Sequence, residues 1–119
     1  MSDYVSWMLE LTIKPGELDN LKALMKEMVE STEAGEPDTR NYEWFFDADE
    51  TTCHLWERYA DSAAAMVHLG HFGEKFAERF MAALEPTRFV VYGNPSDEVR
   101  EALSAFGPEY MVPVSGFAR

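Results

Sequence analysis

Cysteine is almost missing from this chain. Cys53 is the only one in 119 residues, so no internal disulfide can form, and a reducing, cytoplasmic setting fits. Basic residues are scarce as well: 10 lysines and arginines face 22 acids, for a net charge of −12 and an isoelectric point near 4.5. A surface this acidic repels phosphate backbones and anionic bilayers, so neither nucleic acid nor a membrane is expected as a partner. No apolar run approaches the length needed to span a bilayer. The opening MSDYVSWMLELTI has no basic lead and carries Asp3 and Glu10, unlike a secretory signal. There is no repeat, low-complexity tract, long linker or Gly-rich phosphate loop. Gly107-Pro108 and Gly116 read as turn and end signals.

What is present is ordinary for one globular domain: 46% of residues are hydrophobic. Tyr4 to Ile13 reads as a strand stopped by Lys14-Pro15-Gly16. Leu18, Leu21, Leu24, Met25, Met28 and Val29 recur every three or four positions, predicting a helix from about Glu17 to Thr32, ended by Ala34-Gly35-Glu36-Pro37. Thr39 to Asp47 and Thr51 to Tyr59 predict a hairpin around Asp47-Ala48-Asp49-Glu50. Asp61-Ser62 caps a second helix, which Gly70 interrupts. A further helix runs from Phe72 to Leu84, closed by Pro86, and Arg88 to Tyr92 is a fourth strand. Ser96-Asp97 caps a short helix to about Phe106, and Tyr110 to Val114 suits a short extra strand. The order strand, helix, strand, strand, helix, strand is that of a ferredoxin-like split βαβ domain of the α+β class, with its helices on one face of an antiparallel sheet. Residues 1–95 form that domain, and 96–119 an extension packing on it or on a dimer partner.

The strands do not alternate cleanly. Val5, Trp7, Leu9 and Leu11 oppose Tyr4 and Met8; Tyr42, Trp44 and Phe46 oppose Phe45; Phe89 and Val91 oppose Val90 and Tyr92. Both faces are therefore substantially apolar, and the helices can cover only one. A second copy of the same sheet would cover the other, which predicts a homodimer. The competing reading lays the tail, Val99 to Phe117, across that face in a monomer.

All three histidines lie in HLWERYADSAAAMVHLGHF, residues 54–72. On a strand, Cys53, Leu55, Glu57 and Tyr59 share one face and His54, Trp56 and Arg58 the other. On the helix that follows, Ala64, His68 and His71 form one stripe. If the stripe faces the sheet, His68 comes near Glu57 or Tyr59. A carboxylate-held histidine can act as a general base; the same pair can equally be a buried structural hydrogen bond.

This run resembles the signature of the antibiotic biosynthesis monooxygenase family, in Trp56, Glu57, Tyr59, Asp61, Ala64, His68 and His71-Phe72, with the Lys14-Pro15-Gly16 turn alongside. The resemblance covers residues 4 to 93. It implies a dimeric α+β barrel that oxidises a small electron-rich aromatic, such as a quinol or anthrone, with molecular oxygen and no cofactor or metal. In that reading His68 is the base or orients substrate, and Glu57 orients His68. Tyr59, Trp56, His71 and Trp44 line the substrate pocket. Core packing is the competing role for each of the aromatics. The family's haem-degrading branch uses an asparagine on the first strand, which this chain lacks. Other members isomerise or cleave small metabolites. A barrel that binds a small ligand, or serves only as structure, is the non-enzymatic alternative. A zinc or iron site from His68, His71 and His54 or Glu57 is disfavoured, because His54 and Glu57 point to opposite sheet faces. Cys53, in an apolar strand without a nearby lysine, reads as an inert core thiol.

Overall fold

The computed structural model describes residues 3–119. Its elements are β1 (Val5–Ile13), α1 (Leu18–Gly35), β2 (Thr39–Phe46), β3 (Thr52–Tyr59), α2 (Ser62–Lys75), α3 (Ala77–Ala83), β4 (Leu84–Tyr92), α4 (Asp97–Leu103), a 3-10 turn (Ser104–Phe106) and β5 (Glu109–Met111). The sheet order is β2-β3-β1-β4-β5. The first four strands pair antiparallel in the ferredoxin-like arrangement, and β5 adds to β4 in parallel.

Local chemistry sets the connections. Lys14-Pro15-Gly16-Glu17 closes a tight turn with the Glu17 N–H donating to the Lys14 carbonyl at 3.1 Å, and Gly16 takes the φ of +78° that the turn requires. The Asp61 carboxylate caps α2 by accepting from the Ala64 N–H at 2.9 Å. Gly93 ends β4 with φ +115°, where a Cβ would stand 2.6 Å from the Tyr4 carbonyl oxygen; a side chain there would push β1 and β4 apart.

The helices cover the sheet face carried by Trp7, Leu9, Leu11, Leu55 and Val91, and the core lies between. Two expectations are corrected, and the competing reading of the tail is not met. Gly70 does not break the second helix: α2 continues to Lys75 and the bend falls at Phe76, whose φ of −127° leaves the helical range. A lone glycine costs a helix about 1 kcal/mol, which burial of Ala64 and Ala65 and the bonds of His68 to Glu36 and Glu57 offset. Pro86 does not end a helix but lies inside β4, opposite Leu11 at a register shift. Its other edge is free there because β5 first pairs at Val90, so the missing N–H breaks no ladder bond. The tail does not lie across the open face. α4 buries Val99 and Leu103 and lies against α2 on the helix side, β5 sits at the sheet edge, and Val114 and Phe117 are 89% and 80% exposed. On the open face Trp56, Met8 and Val90 lie in register across three strands, with Tyr92 two residues beyond the buried Val90.

Candidate active site

Glu57 is the middle residue of a row that crosses three strands. Trp7 on β1 is its register partner on one side and Tyr42 on β2 on the other. All three point to the helix-covered face. The carboxylate is 4% exposed and therefore needs partners. Oε2 accepts from the Trp7 indole N–H at 2.7 Å. Oε1 accepts from the Tyr59 hydroxyl and lies 3.0 Å from Nε2 of His68. His68 reaches it from the inner stripe of α2.

The other nitrogen of His68, Nδ1, meets a second carboxylate, Oε1 of Glu36, at 2.9 Å. Glu36 follows the last turn of α1, where its own N–H donates to the Thr32 carbonyl. It also accepts from the Thr39 hydroxyl at 2.9 Å, and its Oε2 lies 2.9 Å from Nδ1 of His71. A continuous chain of hydrogen-bonding groups thus runs from Glu57 through His68 and Glu36 to His71, whose side chain is 35% exposed.

Burial works to lower the pKa of His68, but hydrogen bonds and charge from Glu36 and Glu57 outweigh it and raise the value to about 9. Burial likewise works to raise Glu36, and the bonds and charge of His68, with bonds from His71 and Thr39, hold it down at about 2. At neutral pH His68 is therefore an imidazolium with an N–H directed at each carboxylate. In that state it donates and stabilises negative charge; it has no free lone pair with which to take a proton.

A cavity of about 50 Å³ opens beside this cluster. Trp7, Tyr42, Glu57 and His68 form its polar corner, and Phe72, Phe80, Phe89, Leu103 and Phe106 belong to the apolar remainder. The space suits dioxygen or a few waters; an aromatic substrate needs more. A second cavity of about 200 Å³ lies next to it and shares Leu9, Pro86, Phe89 and Phe106 in its wall. Those four side chains form the partition. Phe106 is the least buried of the four: it sits on the 3-10 turn, is 42% exposed, and packs edge-on against Phe89.

The structure brings His68, Glu57, Tyr59 and His71 into one network, with His71 joined through Glu36. Tyr59 is fully buried behind Glu57, and burial pushes its phenol well above the ordinary range. Trp44 is on the inner face, edge-on to Tyr42 and Phe80, with its indole N–H unpartnered. Trp56 is elsewhere: it lies on the open face, 6.2 Å from the Tyr92 ring. His54 is also on that side, 3.7 Å from Glu10 and away from the other two histidines. Cys53 is buried, and burial pushes its thiol up to about 12. Sequence reasoning missed Glu36, Trp7, Tyr42 and Phe106. Glu36 looked like a helix-ending residue beside Pro37, and only the packing of α1 against α2 turns it into a ligand for two histidines.

The fold has counterparts among solved structures. Among curated proteins none matches this sequence. Among solved structures, MupZ from Pseudomonas fluorescens superposes with a TM-score of 0.86 at 24% identity, over 100% of this chain and 91% of that one. SnoaB, a cofactor-independent oxygenase from Streptomyces nogalater, superposes with a TM-score of 0.64 at 14% identity, over 76% of this chain and 91% of that one. Rv0793 from Mycobacterium tuberculosis gives 0.57 at 24% identity, over 79% and 96%. The likeness to MupZ thus takes in α4 and β5. The profile described as Antibiotic biosynthesis monooxygenase matches residues 5–82, about two thirds of the sequence, and the chain belongs to that family.

Proposed function

We propose that this protein is a cofactor-independent monooxygenase, acting as a homodimer, that oxidises a small electron-rich aromatic of the quinol or anthrone type with molecular oxygen. The observation that carries this reading is the polar corner of the cavity. Two ionisable side chains, Glu57 and His68, stand on an otherwise apolar and aromatic wall, and the charge between them is already arranged. The Glu57 carboxylate is the base, and His68 is the cation that stabilises it and the anion formed from substrate. This reverses the roles expected for the two residues from sequence.

The chemistry needs no external electron source. Glu57 takes the acidic proton of a phenol or anthrone, leaving an electron-rich anion. The anion passes one electron to dioxygen, and the resulting radical and superoxide join through a new C–O bond. Protonated Glu57 returns its proton to the peroxide oxygen. For an anthrone, a base then removes the remaining C–H proton, the O–O bond breaks, and water leaves: anthrone plus O2 gives anthraquinone plus H2O. The dry wall favours this course, because a desolvated anion next to a fixed imidazolium is stabilised more strongly than in water.

The test is oxygen uptake with anthrone and 1,4-naphthohydroquinone, comparing wild type with Glu57→Gln. The variant keeps the side-chain volume and should lower turnover by about 10²-fold or more, with far-ultraviolet circular dichroism unchanged. Absence of wild-type uptake above the spontaneous rate, or equal uptake by the variant, refutes the oxygenase. One observation favours a second reading, a barrel that binds without turnover: the carboxyl oxygens of Glu57 and both nitrogens of His68 are already hydrogen-bonded. That protein would show ligand-induced thermal stabilisation and no oxygen consumption.

A further inference from the structure

Trp7 and Tyr42 flank Glu57 from the two neighbouring strands, but they treat it differently. Trp7 uses its N–H on the carboxylate. The Tyr42 hydroxyl is buried and makes no hydrogen bond of ordinary geometry; the Trp44 indole N–H lies near enough to act on its pKa, yet both atoms are left as buried side-chain polar groups without a partner among the described residues. The two rings sit on the same strand face, edge to face at 6.2 Å. An unpaired hydroxyl is costly inside a protein, and a phenylalanine, of which Phe72 and Phe80 are nearby examples on the same cavity wall, would fill the position without that cost.

We infer that the Tyr42 hydroxyl is the group that binds an oxygen atom of the ligand, so that the site selects carbonyl or phenolic aromatics over the bare ring. Tyr42 lines the cavity beside His68, with ring centroids 5.3 Å apart. Burial, reinforced by the negative charge of Glu57, keeps its phenol protonated far above neutral pH. It is therefore a standing donor that complements the acceptor Glu57. One phenolic oxygen can satisfy both, giving its proton to Glu57 and accepting a hydrogen bond from Tyr42. When that proton leaves, Tyr42 faces the phenolate and holds it more strongly than it held the phenol. The inference rests on the proposed function only in taking this cavity as the ligand site.

The experiment uses acetophenone and α-methylstyrene, near-isosteres that differ in offering a carbonyl acceptor, titrated calorimetrically into wild type and Tyr42→Phe. Wild type should prefer acetophenone, and the variant should lose about tenfold of that preference. Thermal unfolding is read alongside: Tyr42→Phe should be at least as stable as wild type, since the hydroxyl makes no hydrogen bond of ordinary geometry in the free protein. A purely structural tyrosine would instead lose stability, which would overturn the inference. Wild type that binds the two compounds alike, or binds neither, overturns it too. Neither readout involves oxygen, so a protein that prefers acetophenone through Tyr42 yet consumes no oxygen sinks the oxygenase and leaves this inference standing.

Discussion

A carboxyl oxygen of Glu36, at the end of the first helix, lies 2.9 Å from Nδ1 of His68, in the middle of the second. The pair is buried, and the other side of the same imidazole meets Glu57 at 3.0 Å. Three separate elements, α1, β3 and α2, are therefore tied through one ring, and the charge state of that ring governs both stability and the electrostatics of the cavity.

Stability should depend on pH in a defined way. His68 titrates at about 9 when folded against an ordinary 6.5. Its contribution is complete below pH 6.5 and is lost as pH rises through 9. Glu36 titrates at about 2 against an ordinary 4.5, so its contribution is complete above pH 4.5 and is lost as pH falls through 2. The two ranges overlap between pH 4.5 and 6.5, where the melting temperature should peak. A melting temperature that stays flat or climbs from pH 6.5 to 9 would show that His68 is not held as an imidazolium.

Glu36→Gln should be among the more damaging conservative changes. It removes one of two carboxylates from a buried imidazolium and takes the acceptor from His71 at the same time. Loss of one partner from a buried ion pair costs about 3 kcal/mol or more. His71→Ala, at a half-exposed site, should cost about 1 kcal/mol or less. Urea unfolding ranks the two; equal costs would mean that Glu36 is not organised around His68. The His68 pKa, followed by NMR, should also fall in Glu36→Gln.

How far the sequence revealed this arrangement depends on the distance over which each signal acts. The periodicity of Leu18 to Val29 and the Asp61 cap are local, and they marked their helices within a few residues. Strand alternation put Glu57 and Tyr59 on one face and Trp56 on the other, and the helical step put His68 and His71 on one stripe. Glu36 carries no such periodic mark: its role exists only because α1 ends where α2 passes. Trp7 and Tyr42 were legible as aromatics on the more apolar side of their strands, but that this side faces the helices, and the contrast between a bonded N–H and an unpartnered hydroxyl, are set by packing and by register across three strands. Gly70 misled because helix propensity is a weak force beside the packing of Ala64 and Ala65 and the carboxylate bonds of His68.

Phe106→Ala should join the two cavities. Phe106 lies in the wall shared by the 50 Å³ and 200 Å³ spaces, and its loss removes part of the partition without touching Glu57 or His68. Affinity for a three-ring ligand such as anthrone should rise severalfold, and more than that for the single-ring acetophenone. The cost in stability should be about 1–2 kcal/mol, below that of a fully buried phenylalanine, because the ring is 42% exposed. An unchanged preference between the two ligands would place the route into the cavity elsewhere.

Trp56→Glu tests the assembly. The open face carries Met8, Trp56 and Tyr92 across three adjacent strands around Val90, which is already buried within one subunit, and Phe45 is 50% exposed nearby. Charged and polar groups rim it: Glu10 and Arg88 toward one end, Arg58 and Asn41 toward the other. An apolar centre inside a polar rim is the composition of an interface, and α4, β5 and the tail leave it uncovered. A two-fold dimer would bring the centre of this face close to its own copy, so a glutamate at 56 would bury a charge against a like charge. Wild type should sediment as a dimer and Trp56→Glu as a monomer that still binds acetophenone, because residue 56 points away from the cavity. A wild type that stays monomeric at about 100 μM, where a pair with micromolar affinity would be almost wholly associated, would leave this apolar face without the partner assigned to it.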